Sequence, residues 1–222
     1  MLEREYVFSG IRKSFGQKAV LRGASGAFPA GSFVGILGLN GSGKTTLLEI
    51  LGNVDRDFIG EIGLRGNKVA YMRTKMPFPE WWKVRDLFAF FKNFYDFDAE
   101  KAERMLQSTS VPKKSRLRTL SAGMQRQVNF IAAVCVRSEV LLLDEPLTNL
   151  DLVFRTAIVD ALIERSAEGG TTVVATHEIK EFESLFTHVT VLQNGVLGPL
   201  TDAEEIRSRG ESIEDFYRGS LQ

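Results

Sequence analysis

The chain has 222 residues, and its sequence predicts an α/β fold built on a mostly parallel sheet. Three strand-like runs predict it, the first two apolar and the third rich in threonine and valine. Residues 32–37 lead directly into a glycine-rich stretch that ends in Lys44 and Thr45. Residues 140–143 end at two acids, Asp144 and Glu145, and residues 171–176 end at His177. Continuous apolar, β-branched runs mark strands covered on both faces, as parallel strands are. All three runs carry chemistry-bearing residues just past their ends, where open α/β sheets bind ligands.

Taken in chain order, residues 32–37 are the first of these strands. The segment that follows, Gly38-Leu39-Asn40-Gly41-Ser42-Gly43-Lys44-Thr45-Thr46, fits the phosphate-loop pattern G-x-x-x-x-G-K-[ST]. Glycines let successive backbone N–H groups curl around phosphate oxygens. Lys44 adds a mobile positive charge, and the Thr45 hydroxyl can reach the magnesium ion that accompanies ATP or GTP. Gly38, Asn40, Gly41, Ser42, Gly43, Lys44, Thr45 and Thr46 are therefore the candidate phosphate contacts. A helix over residues 46–51 follows, stopped by Gly52 and Asn53, and its positive end would face the phosphates.

Residues 68–72 read as a short strand, followed by Arg73, Thr74 and Lys75. Residues 77–119 hold few strand-like runs. Val84, Leu87, Phe88, Phe91 and Tyr95 recur at spacings of three and four, which predicts an amphipathic helix with Asp86, Lys92 and Asn93 on its other side. A second helical stretch covers residues 99–106. Ahead of them, Pro77-Phe78-Pro79-Glu80-Trp81-Trp82 discourages a helix and sets two tryptophans side by side. They cannot face the same way on a regular element. At least one aromatic is expected near the surface, either to meet a partner or to close the core between two parts of the fold.

Asp144, at its strand end, is placed to hold magnesium, directly or through water. Glu145 is the candidate for positioning or polarising the attacking water. His177 is placed to contact a γ-phosphate or hold that water. His188 carries no such context, and no histidine or cysteine spacing suggests structural zinc.

The composition narrows the partners. Basic and acidic residues balance at 28 each, which gives no support to a nucleic-acid groove. The basic group Lys113, Lys114, Arg116 and Arg118 reads as a solvated face. Cys135 is the only cysteine, so there is no internal disulfide, and its apolar neighbours predict a buried, inert thiol. No run reaches the length of a membrane span, and Met1 opens no signal-peptide pattern. One phosphate loop implies one nucleotide-binding domain over residues 1–222.

Residues 120–127, Leu-Ser-Ala-Gly-Met-Gln-Arg-Gln, resemble the LSGGQ signature of ATP-binding cassette ATPases. The order of Phe15, the phosphate loop, this signature, Asp144-Glu145, Leu150-Asp151 and His177 resembles the same family. The resemblance implies an N-terminal antiparallel β subdomain and a helical subdomain over about residues 77–135. It implies ATP and Mg2+ held between two cassettes, a homodimer or a pair of paralogues. Ser121 and Gly123 of one would meet the γ-phosphate bound by the other. Phe15 would stack on adenine, Asp151 would lie in the interface loop, and Thr45 and Asp144 would hold the metal. ATP hydrolysis with Glu145 and His177 as catalytic residues would drive a separate transmembrane permease from the cytoplasmic side of the cell membrane. The pattern of residues 77–119 and the tail Glu214-Asp215-Phe216 resemble exporter subunits. A soluble cassette ATPase without a permease, or a slow-turnover partner subunit, are the alternatives.

Three positions depart from the family. Ala122 stands for the first signature glycine, and Leu147 for a threonine after Asp-Glu-Pro. No glutamine follows the strand at 68–72, where the family places a magnesium and permease sensor. Thr74 falls nearest that position and is the candidate metal contact there, through a magnesium-bound water at shorter reach; alternatively Arg73 or Lys75 supplies charge to a phosphate or to the partner interface. Slow hydrolysis is the expected consequence.

Overall fold

A computed structural model describes residues 5–63 and 68–221; the reading at Met1 lies outside them. Two sheets share the chain. The first is antiparallel and formed by β1 (Glu5–Phe15), β2 (Lys18–Pro29) and β4 (Ile59–Ile62), in the order β2-β1-β4. Along β1 the residues alternate, with Tyr6, Phe8, Ile11 and Lys13 buried and their neighbours outward. A shift of register between Phe8 and Ile11 keeps the apolar side inward across an irregularity in the pairing.

The second sheet has seven strands. β3 (Phe33–Leu37), β5 (Val69–Met72), β6 (Val140–Asp144), β7 (Thr171–Thr176) and β8 (His188–Gln193) run parallel, in the order β8-β3-β7-β6-β5. Two short antiparallel additions, β9 (Val196–Leu197) and β10 (Thr201–Asp202), both pair with β8. β3, β6 and β7 are buried throughout, including the threonines of β7 and Asp144 at the end of β6, as strands covered on both faces are. The register decides where function falls. Leu37 pairs with Thr176, Asp144 with Ala175, and Met72 with Leu143. Four strands thus end at one rim, and each hands on to a segment singled out in the sequence.

The helix α1 (Lys44–Leu51) rises from the loop after β3. It starts two residues earlier than its apolar run suggests, because Gly43 serves as its N-cap. Leu47, Leu48 and Ile50 are fully buried between the two sheets with Val34, Ile36, Phe8 and Phe28. Burial of each such side chain contributes about 2 kcal/mol.

Between β5 and β6 lie α2 (Val84–Phe94), α3 (Ala99–Gln107) and α4 (Ala122–Val134). They join α5 (Leu152–Ala167) in a second core. On α2, Val84, Leu87 and Phe88 face inward as the spacing predicts. Tyr95 does not: it is the C-cap of α2, in extended backbone, and stands exposed. Trp81 is exposed, whereas Trp82 stacks on Phe78 and packs against the core. Cys135 is buried at the end of α4. The chain closes with α6 (Ala203–Ser208) and α7 (Ile213–Ser220). Among the described residues no helix is long and apolar enough to cross a membrane.

Candidate nucleotide site

The phosphate loop joins β3 to α1. Gly43 has φ of 108°, a left-handed conformation that turns the chain into the helix and that a side chain would resist. A Cβ on Gly38 would lie 2.6 Å from the Leu192 carbonyl oxygen, so only glycine fits between the loop and β8. Asn40, Gly41 and Ser42 line a cleft of about 480 Å3 together with Lys18 and Val20 of β2 and the turn at Asn194. The Ser42 hydroxyl is buried inside the loop with no hydrogen-bond partner among the described residues. Thr46 follows Thr45 in the first turn of α1.

Lys44 is buried, and its ammonium donates to the carbonyls of Gly38 at 2.7 Å and Leu39 at 3.2 Å. The same ammonium lies 3.5 Å from Glu145 Oε1. Glu145 Oε2 lies 2.9 Å from His177 Nδ1 and accepts from Thr176 Oγ1 at 3.2 Å. The Glu145 side chain thus bridges the ends of β3 and β7. Its backbone is left-handed, with φ of 47°, and its N–H donates to the Ala175 carbonyl at 2.9 Å.

Asp144 is fully buried one residue earlier. Thr45 Oγ1 donates to its Oδ2 at 2.9 Å and lies 3.2 Å from Oδ1. Thr74 Oγ1 also donates to Oδ2. Burial pushes the Asp144 carboxyl above its ordinary range, and the Thr74 and Thr45 hydrogen bonds pull it back. A carboxylate flanked by two hydroxyls offers hard oxygen donors, which suit Mg2+. Among the described residues no cluster of three or more His, Cys, Asp or Glu is placed to hold a metal. Magnesium bound with nucleotide phosphates needs only one or two carboxylates, so the donor set fits.

The structure therefore brings Lys44, Thr45, Thr74, Asp144, Glu145 and His177 together. Ser121 stands apart from them as the N-cap of α4, accepting from the Met124 N–H at 3.2 Å. Gly123 lies in the first turn, facing the Asn149 carbonyl. Ala122 opens that helix without a positive φ, so its methyl group fits the backbone. Asp151 is the exposed N-cap of α5, accepting from the Phe154 N–H at 2.9 Å. Phe15 is 54% exposed, which excludes a core role; the Lys13 ammonium sits 5.0 Å from its ring centre. Leu147 is buried apolar packing.

Sequence reasoning missed residues that arrive by packing. Arg126, on α4, is nine-tenths buried and donates to the Asp144 carbonyl at 3.4 Å. Burial lowers its basicity, while the charges of Asp144, Glu145 and Glu178 raise it. Asn129 donates to the Arg73 carbonyl at 2.7 Å, and the Arg73 guanidinium pairs with Glu49 of α1 at 2.6 Å. Lys18 and the Asn194 turn at the cleft carry no sequence motif. Only the position of Arg126 and Asn129 beside the signature could have pointed to them.

The profile of the family described as ABC transporter matches residues 21–148. An uncharacterized ABC transporter ATP-binding protein of Methanocaldococcus jannaschii is 30% identical over 95% of this chain and 82% of its own length. An aliphatic sulfonates import ATP-binding protein of Pseudomonas putida is 33% identical over 91% of this chain and 78% of its own. A Nod factor export ATP-binding protein of Burkholderia lata is 30% identical over 85% of this chain and 67% of its own. A solved structure of an ATP-binding subunit of an ABC transporter superposes with a TM-score of 0.86 at 20% identity, covering 99% of this chain and all of that one, which supports the fold. The chain belongs to the ABC transporter family, in the general class of ATP-binding subunits that couple nucleotide hydrolysis to transport.

Proposed function

We propose that this chain hydrolyses ATP as one of two paired cassettes and drives a separate transmembrane permease from the cytoplasmic face of the membrane. The observation that carries the reading is the bridging position of Glu145, between the Lys44 ammonium at 3.5 Å and the His177 ring at 2.9 Å. A general base, a cation for phosphate charge and a polar group that orients the base meet at one rim, as phosphoryl transfer to water requires.

Gly38, Asn40, Gly41, Ser42, Gly43 and Thr46 hold the phosphates through the loop and helix N-terminus. Lys44 leaves its loop carbonyls for phosphate oxygens. Glu145 orients a water and takes its proton, while His177 holds the carboxylate through Nδ1. Thr45, Asp144 and Thr74 would hold Mg2+, which supplies charge neutralisation at the phosphates when bound. Phe15 offers an exposed face for adenine. Ser121 and Gly123 of the second cassette close the site over the γ-phosphate, and Asp151 lies at the junction. Thr74, with its short hydroxyl, stands where the family carries a glutamine, and this supports slow turnover.

Trp81 before α2 and Phe94 and Tyr95 at its end are exposed aromatics, a residue type suited to contact with a cytoplasmic helix of the permease. The pattern of residues 77–119 supports an exporter-type subunit. ATP turnover of the assembled complex tests the reading: Glu145→Gln is expected to lower kcat at least about 100-fold, and equal rates would overturn it. A multi-span membrane protein should co-purify with the chain.

A further inference from the structure

Two segments of the proposed magnesium side are gripped by one helix. Arg126 and Asn129 stand three residues apart on α4, one above the other on the same face. Both are more than nine-tenths buried. Arg126 Nη1 donates to the Asp144 carbonyl at 3.4 Å, and Asn129 Nδ2 donates to the Arg73 carbonyl at 2.7 Å. Each bond is made to backbone. The Arg73 carbonyl belongs to the peptide whose nitrogen is that of Thr74, so holding this peptide sets the direction of the Thr74 side chain. That side chain donates to Asp144.

Packing alone does not explain Asn129. Its neighbours on α4, Val128, Phe130, Ile131, Ala132 and Ala133, are all buried and apolar. Asparagine is a poor helix former, and a buried amide is costly unless it is hydrogen-bonded. An apolar residue would suit both the helix and the core. The segment it meets is anchored from the other side as well, by Arg73 to Glu49 on α1, the helix that begins with Lys44 and Thr45. Residues 73–74 therefore connect the helix of the phosphate loop to the helix that opens at Ser121.

We infer that Asn129 is a positioning residue: its amide holds the peptide between Arg73 and Thr74 so that the Thr74 hydroxyl meets Asp144. It thereby ties the helix opening at Ser121 to the Mg2+ side of the same chain. The inference rests on the ATPase reading above and on Thr74 and Asp144 as its metal side. Groups that orient metal ligands without touching the metal change metal affinity when removed.

The test measures binding of a fluorescent ATP analogue to the full chain across a Mg2+ titration and in EDTA. Asn129→Ala is expected to leave affinity in EDTA unchanged and raise the half-effective Mg2+ concentration about tenfold or more. Thr74→Val should shift it in the same direction. Arg165→Met is the structural control. Arg165 is a buried donor to the Ser138 and Thr171 carbonyls at the opposite end of the strands, so its loss should lower the melting temperature and leave the Mg2+ requirement alone. If Asn129→Ala does not fold, Asn129→Ser, whose hydroxyl falls short of the carbonyl, carries the same expectation. An Asn129 variant that loses stability as the control does, with an unchanged Mg2+ requirement, overturns the inference. Wild-type chain that binds no analogue, with Lys44→Ala no different, overturns the ATPase reading and the inference with it.

Discussion

Glu145 shows what a single residue can and cannot reveal in advance. Its candidacy beside Asp144 is legible because two acids follow an apolar strand. Its contact with Lys44 was not legible, because that depends on β7 lying between β3 and β6. Cys135 is the opposite case: its apolar neighbours alone place it inside. Burial pushes its thiol up to about 12, far from the thiolate form that reacts. A thiol reagent at mildly alkaline pH should leave the native chain unlabelled and label it fully in denaturant, as intact-mass measurement would show. Rapid labelling of the native chain would mean that the end of α4 opens readily.

Among the elements, the joint between β1 and the turn after α1 is held by charge. The Lys13 ammonium lies 2.8 Å from Asp55 Oδ2 and donates to Oδ1 at 3.0 Å, and that hydrogen bond holds the Asp55 carboxyl below its ordinary range and the Lys13 ammonium above its own. The sign follows directly. The Asp55 contribution is complete above the unfolded carboxylate range and is lost as pH falls through the depressed native value. The Lys13 contribution is complete below the ordinary lysine range and is lost as pH rises through the raised value. Asp55→Asn should therefore lower the urea midpoint at neutral pH, and the gap to wild type should close in acid. A gap that persists in acid would assign the loss to packing instead. Element positions were legible wherever apolar spacing was long and regular, as on α2. Ends were less so: Tyr95 continues the three-four spacing but is the extended C-cap of the helix, its ring resting on Phe91 from outside rather than entering the core. The start of α1 was set by Gly43, whose backbone state no periodicity encodes.

Across the whole molecule, the strand order is what the sequence withheld. Segments far apart in the chain end at one rim because β6 and β7 insert between β5 and β3. Motif spacing identifies the participants, and pairing alone makes them neighbours. Arg126, Asn129 and the cleft residues Lys18 and Asn194 stayed hidden for the same reason. The paired tryptophans separate folding from assembly at this scale. Trp82 is partly buried and stacks on Phe78 at 6.0 Å between ring centres, so Trp82→Ala should lower stability by about 2 kcal/mol in a denaturant titration. Trp81→Ala should leave that curve unchanged and reduce recovery of the proposed permease partner. Equal stability loss in both variants, with recovery intact, would place the docking surface elsewhere.

The left-handed backbone at Glu145 sets folding against the proposed chemistry at one position. An L-residue with a side chain costs about 1–2 kcal/mol there, a cost that glycine avoids. Selection on folding alone would replace the acid with glycine or asparagine. A lineage released from the need to spend ATP would drift toward a sturdier and silent cassette, and this position is where that drift would begin.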